Sequence, residues 1–133
     1  MPISASSKLQ SLVTLSSTEA ELVALCQAVQ EVMAMCHQCT EAGMGKCVAR
    51  PIKVFEDNDG CIFVATNPVS GGRSKHIEIK YHYARVKVES GDIAVTSINT
   101  KDNVADLCTK AVSVAVHNAL IPALMTQITT TNV

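Results

Sequence analysis

The sequence predicts an α/β fold in which short strands alternate with helices. Residues 51–57 combine strand-forming side chains with a polar stop and lead directly into an apolar helical run. Residues 16–41 repeat apolar side chains at helical spacing, and residues 93–98 alternate apolar and polar side chains, as a half-buried strand does. The chain has 133 residues, 47% of them hydrophobic and 17% charged, which is enough to bury one core. We therefore predict a single domain over residues 1–133, with a core at about 8–125 and loose termini.

The first two predicted elements are a strand at residues 11–15 and a long helix. Overlapping Ser/Thr-x-x-Glu pairs beginning at Ser16 and Thr18 are typical of helix N-termini, because side chain and backbone can cap each other. The apolar stripe then continues to about Glu41, and Gly43 is placed to end the helix.

The remaining elements follow the same alternation. They are a strand at 51–57, a short helix to about residue 67, a helix at 76–89, a strand at 93–98 and a last helix near 104–115, resumed around 119–125. Two strands joined through helices are expected to run parallel through a right-handed crossover.

Composition excludes several classes of function. The net charge of -1 and the aromatic content of 3% argue against a strongly basic or base-stacking nucleic-acid binder. No apolar run approaches the roughly 18 residues of a membrane span, so no membrane partner is expected. The first residues lack the basic and apolar segments of a secretory signal, so we expect an intracellular protein, of the cytoplasm or nucleus, with six reduced cysteines.

Three of these cysteines have a spacing that two interpretations fit. Cys36 and Cys39 form a Cys-x-x-Cys pair, and Cys47 lies beyond it, so a zinc site is one interpretation. Positions 36 and 39 fall inside a predicted helix, and no second paired motif accompanies them. Buried thiols are therefore the preferred interpretation, and zinc is not expected.

Asp57 is the first candidate for chemistry. It follows a predicted strand, and open α/β sheets bind ligands outside the carboxyl ends of their strands. The competing interpretation is that Asp57 only forms the turn before the next helix. Similarly, Glu21 can be a helix-capping partner, and Asp106 can be a charge at a helix N-terminus.

Three segments, taken in order, resemble the ribonuclease H domain of copia-type LTR-retrotransposon Pol polyproteins. They are SKLQSLVTLSSTEAELVAL (7–25), PIKVFEDNDGCIFVATNPVSGGRSKHIEIKYHYARVKVESGDI (51–93) and NVADLCTKA (103–111). The resemblance implies a three-layer ribonuclease H-like fold, in which a mixed sheet carries helices on its faces. It also implies Mg²⁺- or Mn²⁺-dependent cleavage of the RNA strand of RNA–DNA hybrids.

The resemblance assigns the catalytic and metal-binding positions to three acids. They are Glu21 at the end of STEAE, Asp57 in EDN and Asp106 in NVAD. Carboxylates are the hard oxygen ligands that Mg²⁺ prefers, and two such ions can activate water and stabilise a leaving phosphate oxygen. The same resemblance places Arg73, Lys75 and His76 near the nucleic acid, where they would contact phosphates.

One departure from the family pattern limits the expected activity. The family domain begins with two further strands, the first of which carries another metal-bridging aspartate, and no aspartate precedes Asp57 in this sequence. We therefore expect a fold without its first two strands and little or no nuclease activity from this chain alone. A polyprotein segment or a second chain is the expected source of those strands. The alternatives are a non-catalytic module that binds nucleic acid or protein, and a non-functional remnant.

Overall fold

The computed structural model describes residues 4–11, 13–14, 16–67 and 75–125; the side chains of 47 and 75–81 lie outside that description. It divides into two compact units, which are described separately. One unit spans residues 12–97, and the other combines residues 1–11 with residues 98–133. We call them the sheet unit and the terminal unit. The prediction of one domain over 1–133 stays a prediction.

The sheet unit begins with the long helix that the sequence predicts. Helix α1 spans Ser17–Glu41, and the hydroxyl of Ser16 caps it by accepting a hydrogen bond from the backbone N–H of Glu19 at 3.2 Å. Of the two possible capping pairs, the structure therefore uses the one that begins at Ser16. The helix ends where predicted, because Gly43 adopts φ +77°, a left-handed conformation that glycine reaches without a steric penalty.

The described part of the sheet unit also contains a two-stranded parallel sheet and two further α-helices. Strand β1 (Ile52–Glu56) leads into helix α2 (Asp59–Thr66), and helix α3 (Lys75–Glu89) leads into strand β2 (Ile93–Ser97). The strands pair in register from Ile52 opposite Ile93 to Glu56 opposite Ser97. The predicted parallel pairing is confirmed, and it brings the carboxyl ends of both strands to one edge of the sheet.

The core of the sheet unit lies between the sheet and helices α1 and α2. Its buried members are Leu22, Leu25, Val29, Cys61, Ala65 and Ile93. The partly buried side chains of Ile52, Val54 and Val95 pack against this cluster from the sheet. The alternation of the strand leaves Phe55 on the opposite face, where its side chain is 56% exposed.

An ion cluster around Asp92 ties the end of α3 to the starts of both strands. Lys87 Nζ lies 3.1 Å from Asp92 Oδ2, Ser90 donates to the same oxygen at 3.0 Å, and Arg50 pairs with Asp92 Oδ1. The backbone carbonyl of Asp92 also accepts the N–H of Ile52 at 2.9 Å. Both charged and backbone groups of Asp92 thus fix the entry to the sheet.

The described part of the terminal unit contains a short 3-10 helix (Thr100–Asp102) and two α-helices. Helix α4 (Asp106–Thr109) is a single turn, and helix α5 (Val114–Leu124) follows after an extended residue at Lys110. The hydroxyl of Ser113 caps α5 by accepting from the N–H of Val116 at 3.4 Å. The hydroxyl of Ser7 donates to the carbonyl of Cys108 at 2.8 Å, which joins the two sequence-distant parts of this unit.

Three features of the predicted fold are wrong for the described residues. Positions 11, 13 and 14 are not in a strand, and Val13 is 89% exposed, because a strand is stable only when a neighbour satisfies its backbone. The described sheet is consequently purely parallel rather than mixed. The break in the last helical region also lies elsewhere: the helix predicted near 104–115 is the single turn Asp106–Thr109, and a serine cap at Ser113 starts the next helix at Val114 rather than around 119.

Within the described chain, no helix combines the length and apolar character that crossing a membrane requires. Residues 68–72, where Pro68 and two glycines predict a loop, and the loose C-terminal end predicted beyond about residue 125 both lie entirely outside the described residues.

Candidate acidic site at the sheet edge

The carboxyl end of β1 carries two consecutive acids with different surroundings. Glu56 is the last strand residue and is 6% exposed, whereas Asp57 follows it and is half-buried. Because side chains alternate along a strand, Glu56 shares the core-facing side of β1 with Ile52 and Val54. The predicted position of Asp57 at a strand end is therefore confirmed, with the strand closing one residue earlier than predicted.

Glu56 is held by contacts with the turn that follows it. Its Oε1 accepts the backbone N–H of Asn58 at 3.1 Å, and the Cys61 side chain lies near the same carboxyl. Burial raises the pKa of Glu56 above its ordinary value, and the nearby charge of Glu21 raises it further, while the Asn58 hydrogen bond lowers it. Burial, the largest influence, favours the protonated acid.

Cys61 shares this environment. It is fully buried, and burial together with the charge of Glu56 raises the pKa of its thiol. A thiol that stays protonated is a poor nucleophile and a poor metal ligand. Cys61 therefore serves as a small buried side chain, as expected for a core cysteine.

Glu21 lies close enough to this edge to act electrostatically on it. It is the fifth residue of α1, one position beyond the predicted first turn, and its neighbours Leu22 and Val23 are buried. Its side chain is half-buried, and its negative charge raises the pKa values of both Glu56 and Cys61. The sheet unit thus brings Glu21 into the neighbourhood of the Glu56–Asp57 edge.

The turn after Asp57 approaches the start of α1 closely. A Cβ built on Gly60 would lie 3.1 Å from Thr18 Oγ1 and 3.2 Å from Asn58 Oδ1. A shallow groove of about 350 Å³ opens beside this approach, lined by Ser16, Thr18, Glu19, Leu22, Gly60, Phe63 and Val64. The glycine therefore allows α2 to begin against the first turn of α1.

Asp106, the third predicted acid, belongs to the terminal unit. It is the first residue of α4, as expected for a helix N-terminal position, and it is buried. Lys110 Nζ donates to its Oδ1 at 2.9 Å, one helical turn further along the chain. Asp106 belongs to a different unit from Glu21 and Asp57, and its meeting with them stays a prediction.

Neither unit by itself contains a complete metal centre in its described part. No group of three His, Cys, Asp or Glu side chains within either unit is arranged to hold an ion. Glu21 and Asp57 supply the hard oxygen donors that Mg²⁺ prefers, so the sheet unit fits a divalent cation in chemical kind but not in ligand number.

The other predicted site residues are only partly described. Arg73 lies outside the described residues, and Lys75 and His76 begin α3 with side chains outside the description. Cys36 and Cys39 are free thiols in α1, with Cys36 buried, and the side chain of Cys47 is not described. The predicted contacts with nucleic acid stay predictions.

Glu56 is the one residue of this site that the sequence predictions omit. Its signal was present in the sequence, since position 56 follows Ile52 and Val54 at spacings of two and must share their face. The prediction chose Asp57 instead, because it follows the strand and open α/β sheets bind ligands outside the carboxyl ends of their strands.

The chain is similar in sequence to polyproteins of known transposons. Over 112 residues the chain is 41% identical to the retrovirus-related Pol polyprotein from transposon RE1 of Arabidopsis thaliana and 40% identical to that from transposon RE2. Over 110 residues it is 34% identical to the retrovirus-related Pol polyprotein from transposon TNT 1-94 of Nicotiana tabacum. The chain is a relative of a segment of transposon Pol polyproteins.

The Pol relationship covers most of this chain and little of the relatives. The alignments span 84%, 84% and 83% of the chain, but 8% of the length of each polyprotein. No family model matches the chain. No solved structure matches it either.

Proposed function

We propose that this chain is a ribonuclease H-like segment of a transposon Pol polyprotein. Its ancestral reaction is divalent-metal-dependent cleavage of the RNA strand of an RNA–DNA hybrid. The observation that carries the proposal is the 34–41% identity to Pol polyproteins over more than four fifths of the chain. The acids Glu21 and Asp57, which the family resemblance assigns to metal binding, lie in one compact unit, and this supports it.

In the proposed reaction, bound Mg²⁺ or Mn²⁺ activates water and stabilises the leaving oxygen. The chain's own contribution is to hold Glu21 on a helix whose apolar face is buried and Asp57 at the end of a paired strand. Both acids therefore sit on rigid elements, as a precise site requires. The resemblance implies a further, metal-bridging aspartate besides the three assigned acids, and no aspartate precedes Asp57 in this sequence, so we expect little or no cleavage from this chain alone.

Metal binding can be tested with a pair of charge-matched double variants. Glu21→Gln with Asp57→Asn removes the two proposed ligands, and Glu19→Gln with Asp59→Asn removes two acids from neighbouring positions. We expect Mn²⁺ to broaden the NMR signals of residues 21 and 57 in the native chain and in the second variant but not in the first. Equal broadening in both variants would show that the ion binds elsewhere.

Cleavage is tested by incubating the chain with a labelled RNA–DNA hybrid and Mg²⁺. We expect binding of the hybrid with cleavage near background. Robust cleavage that survives the Glu21→Gln and Asp57→Asn substitutions would refute the assignment of these acids. An in-frame coding sequence upstream that encodes an acidic strand would identify the source of a further ligand.

A second candidate function is a non-catalytic binding module on the same scaffold. It is favoured by the sheet itself, since each described strand pairs on one side only and Phe55 is exposed on its outer face. Unpaired strand edges are templates for another chain, and a polyprotein segment or a second copy fits that role. Light scattering after size exclusion tests it: a strict monomer that also ignores the hybrid contradicts the binding module.

A further inference from the structure

We propose that Glu56 is a positioning residue for Asp57. Its buried carboxyl closes the turn of residues 56–58 and thereby sets the direction in which Asp57 leaves the sheet. The inference rests on the proposed function for the role of Asp57, but the turn geometry that supports it is independent of that role.

The first step is the hydrogen bond that spans Asp57. Oε1 of Glu56 accepts the N–H of Asn58 at 3.1 Å, so the side chain of one residue grips the backbone two residues later. Asp57 lies between the two gripped positions. Because Glu56 is 6% exposed, water competes little for this bond, and the turn is held from the core side.

The second step connects the same turn to α2. The side chain of Asn58 caps the helix by accepting the N–H of Cys61 at 3.0 Å, and its carbonyl accepts the N–H of Ile62 at 3.0 Å. Asn58 is therefore held by Glu56 through its backbone and in turn holds the start of α2, and neither hydrogen bond involves the Asp57 side chain.

The third step concerns why a carboxyl occupies this position. A buried carboxyl costs desolvation that a methionine or leucine of similar size avoids, so core packing alone favours an apolar residue. What an apolar side chain cannot supply is an acceptor for the Asn58 N–H. The buried acid is therefore explained by its role in holding the turn, and the turn sets the orientation of Asp57.

Three substitutions of Glu56 distinguish the roles of its acceptor oxygen, its charge and the length of its side chain. Glu56→Gln keeps an oxygen at the same distance without the charge, Glu56→Met keeps the length without the oxygen, and Glu56→Asp keeps the charge but shortens the reach. We expect amide hydrogen exchange at Asn58 to accelerate about tenfold or more in the Met and Asp variants, since exchange reports local opening. The Gln variant should restore the slow exchange of the native chain.

A second readout follows Asp57 itself. Titration with Mg²⁺ alone, monitored at the Asp57 amide resonance, should give a response that shrinks in the Met and Asp variants and recovers in the Gln variant. A general loss of structure at position 56 would not be restored by glutamine while it persists with aspartate and methionine. If the Met variant does not fold, the comparison of Gln with Asp decides the question.

The two readouts fail independently. Native exchange rates at Asn58 in both the Met and Asp variants would overturn the positioning role of Glu56. A native chain whose Asp57 resonance ignores Mg²⁺, or responds equally after Asp57→Asn, would instead overturn the proposed function. A Gln variant that behaves like the Met variant would also overturn the inference, because it retains the acceptor.

Discussion

Replacing Glu56 by glutamine should change the pH dependence of stability in a defined direction. In the folded chain the pKa of Glu56 is raised above its ordinary value of 4.5, chiefly by burial. Between those two pKa values the folded state binds more protons than the unfolded state, so the free energy of unfolding falls as pH rises. The contribution of Glu56 to the free energy of unfolding is fully present below about pH 4.5. It is lost as the pH rises through the raised pKa of the folded state.

The magnitude follows from linkage. Each unit by which the folded pKa exceeds the unfolded value removes about 1.4 kcal/mol from the free energy of unfolding at neutral pH. Glutamine carries no charge and keeps the oxygen that accepts the Asn58 N–H. Glu56→Gln should therefore be more favourable relative to the native chain at pH 7 than at pH 4.

Urea unfolding of native and Glu56→Gln chains at several pH values between 4 and 8 measures the effect, because groups that titrate alike in both chains cancel in the difference. Glu31→Gln is the matched control, since residue 31 lies on the exposed face of α1. The Glu56→Gln difference should change with pH by more than the Glu31→Gln difference does, and equal pH dependence in the two would refute a raised pKa for the buried acid.

Three further predictions concern the scaffold of the sheet unit and are checked by urea unfolding. Leu22→Ala should lower the free energy of unfolding by about 2–5 kcal/mol, because Leu22 is 1% exposed in the core. As a control, Leu9→Ala at a fully exposed position should change it by no more than about 0.5 kcal/mol. Equal losses in the two variants would contradict the assigned core. Gly43→Ala should cost about 1 kcal/mol, since φ is +77° with open space around the Cβ; an unchanged midpoint would contradict a left-handed residue there. Asp92→Asn should cost about 1–2 kcal/mol through lost contacts to Lys87 and its neighbours, and a loss that 1 M salt does not reduce would argue against the ion cluster.

Local elements of this fold could be predicted from the sequence with good accuracy. The serine cap and terminal glycine of α1 marked its boundaries, and the polar stop after β1 marked the strand end to within one residue. The parallel pairing of β1 and β2 also followed, since two strands joined through helices have few other arrangements. These features depend on residues close together in the chain, and their physics is local.

The wrong predictions have a common cause. They concern elements that depend on contacts which a local sequence pattern does not specify. Residues 11–15 have strand-forming side chains, but a strand needs a neighbour for its backbone, and the described positions 11, 13 and 14 form no strand. The break before α5 depended on whether Ser113 would cap a helix or lie within one. In both cases the deciding contact lies outside the pattern that made the prediction.

By itself, the sequence determined the relationship to Pol polyproteins and the order of the elements from α1 to β2, and it marked Glu21, Asp57 and Asp106 as candidate acids. Only the tertiary structure decided that Glu56, one residue before the acid that the motif marks, is the buried carboxyl that grips the turn. The physical reason is that the burial of a side chain depends on the elements that pack around it. In an extended chain this glutamate is solvated, and its desolvation costs free energy only once a helix and a sheet exclude water from it.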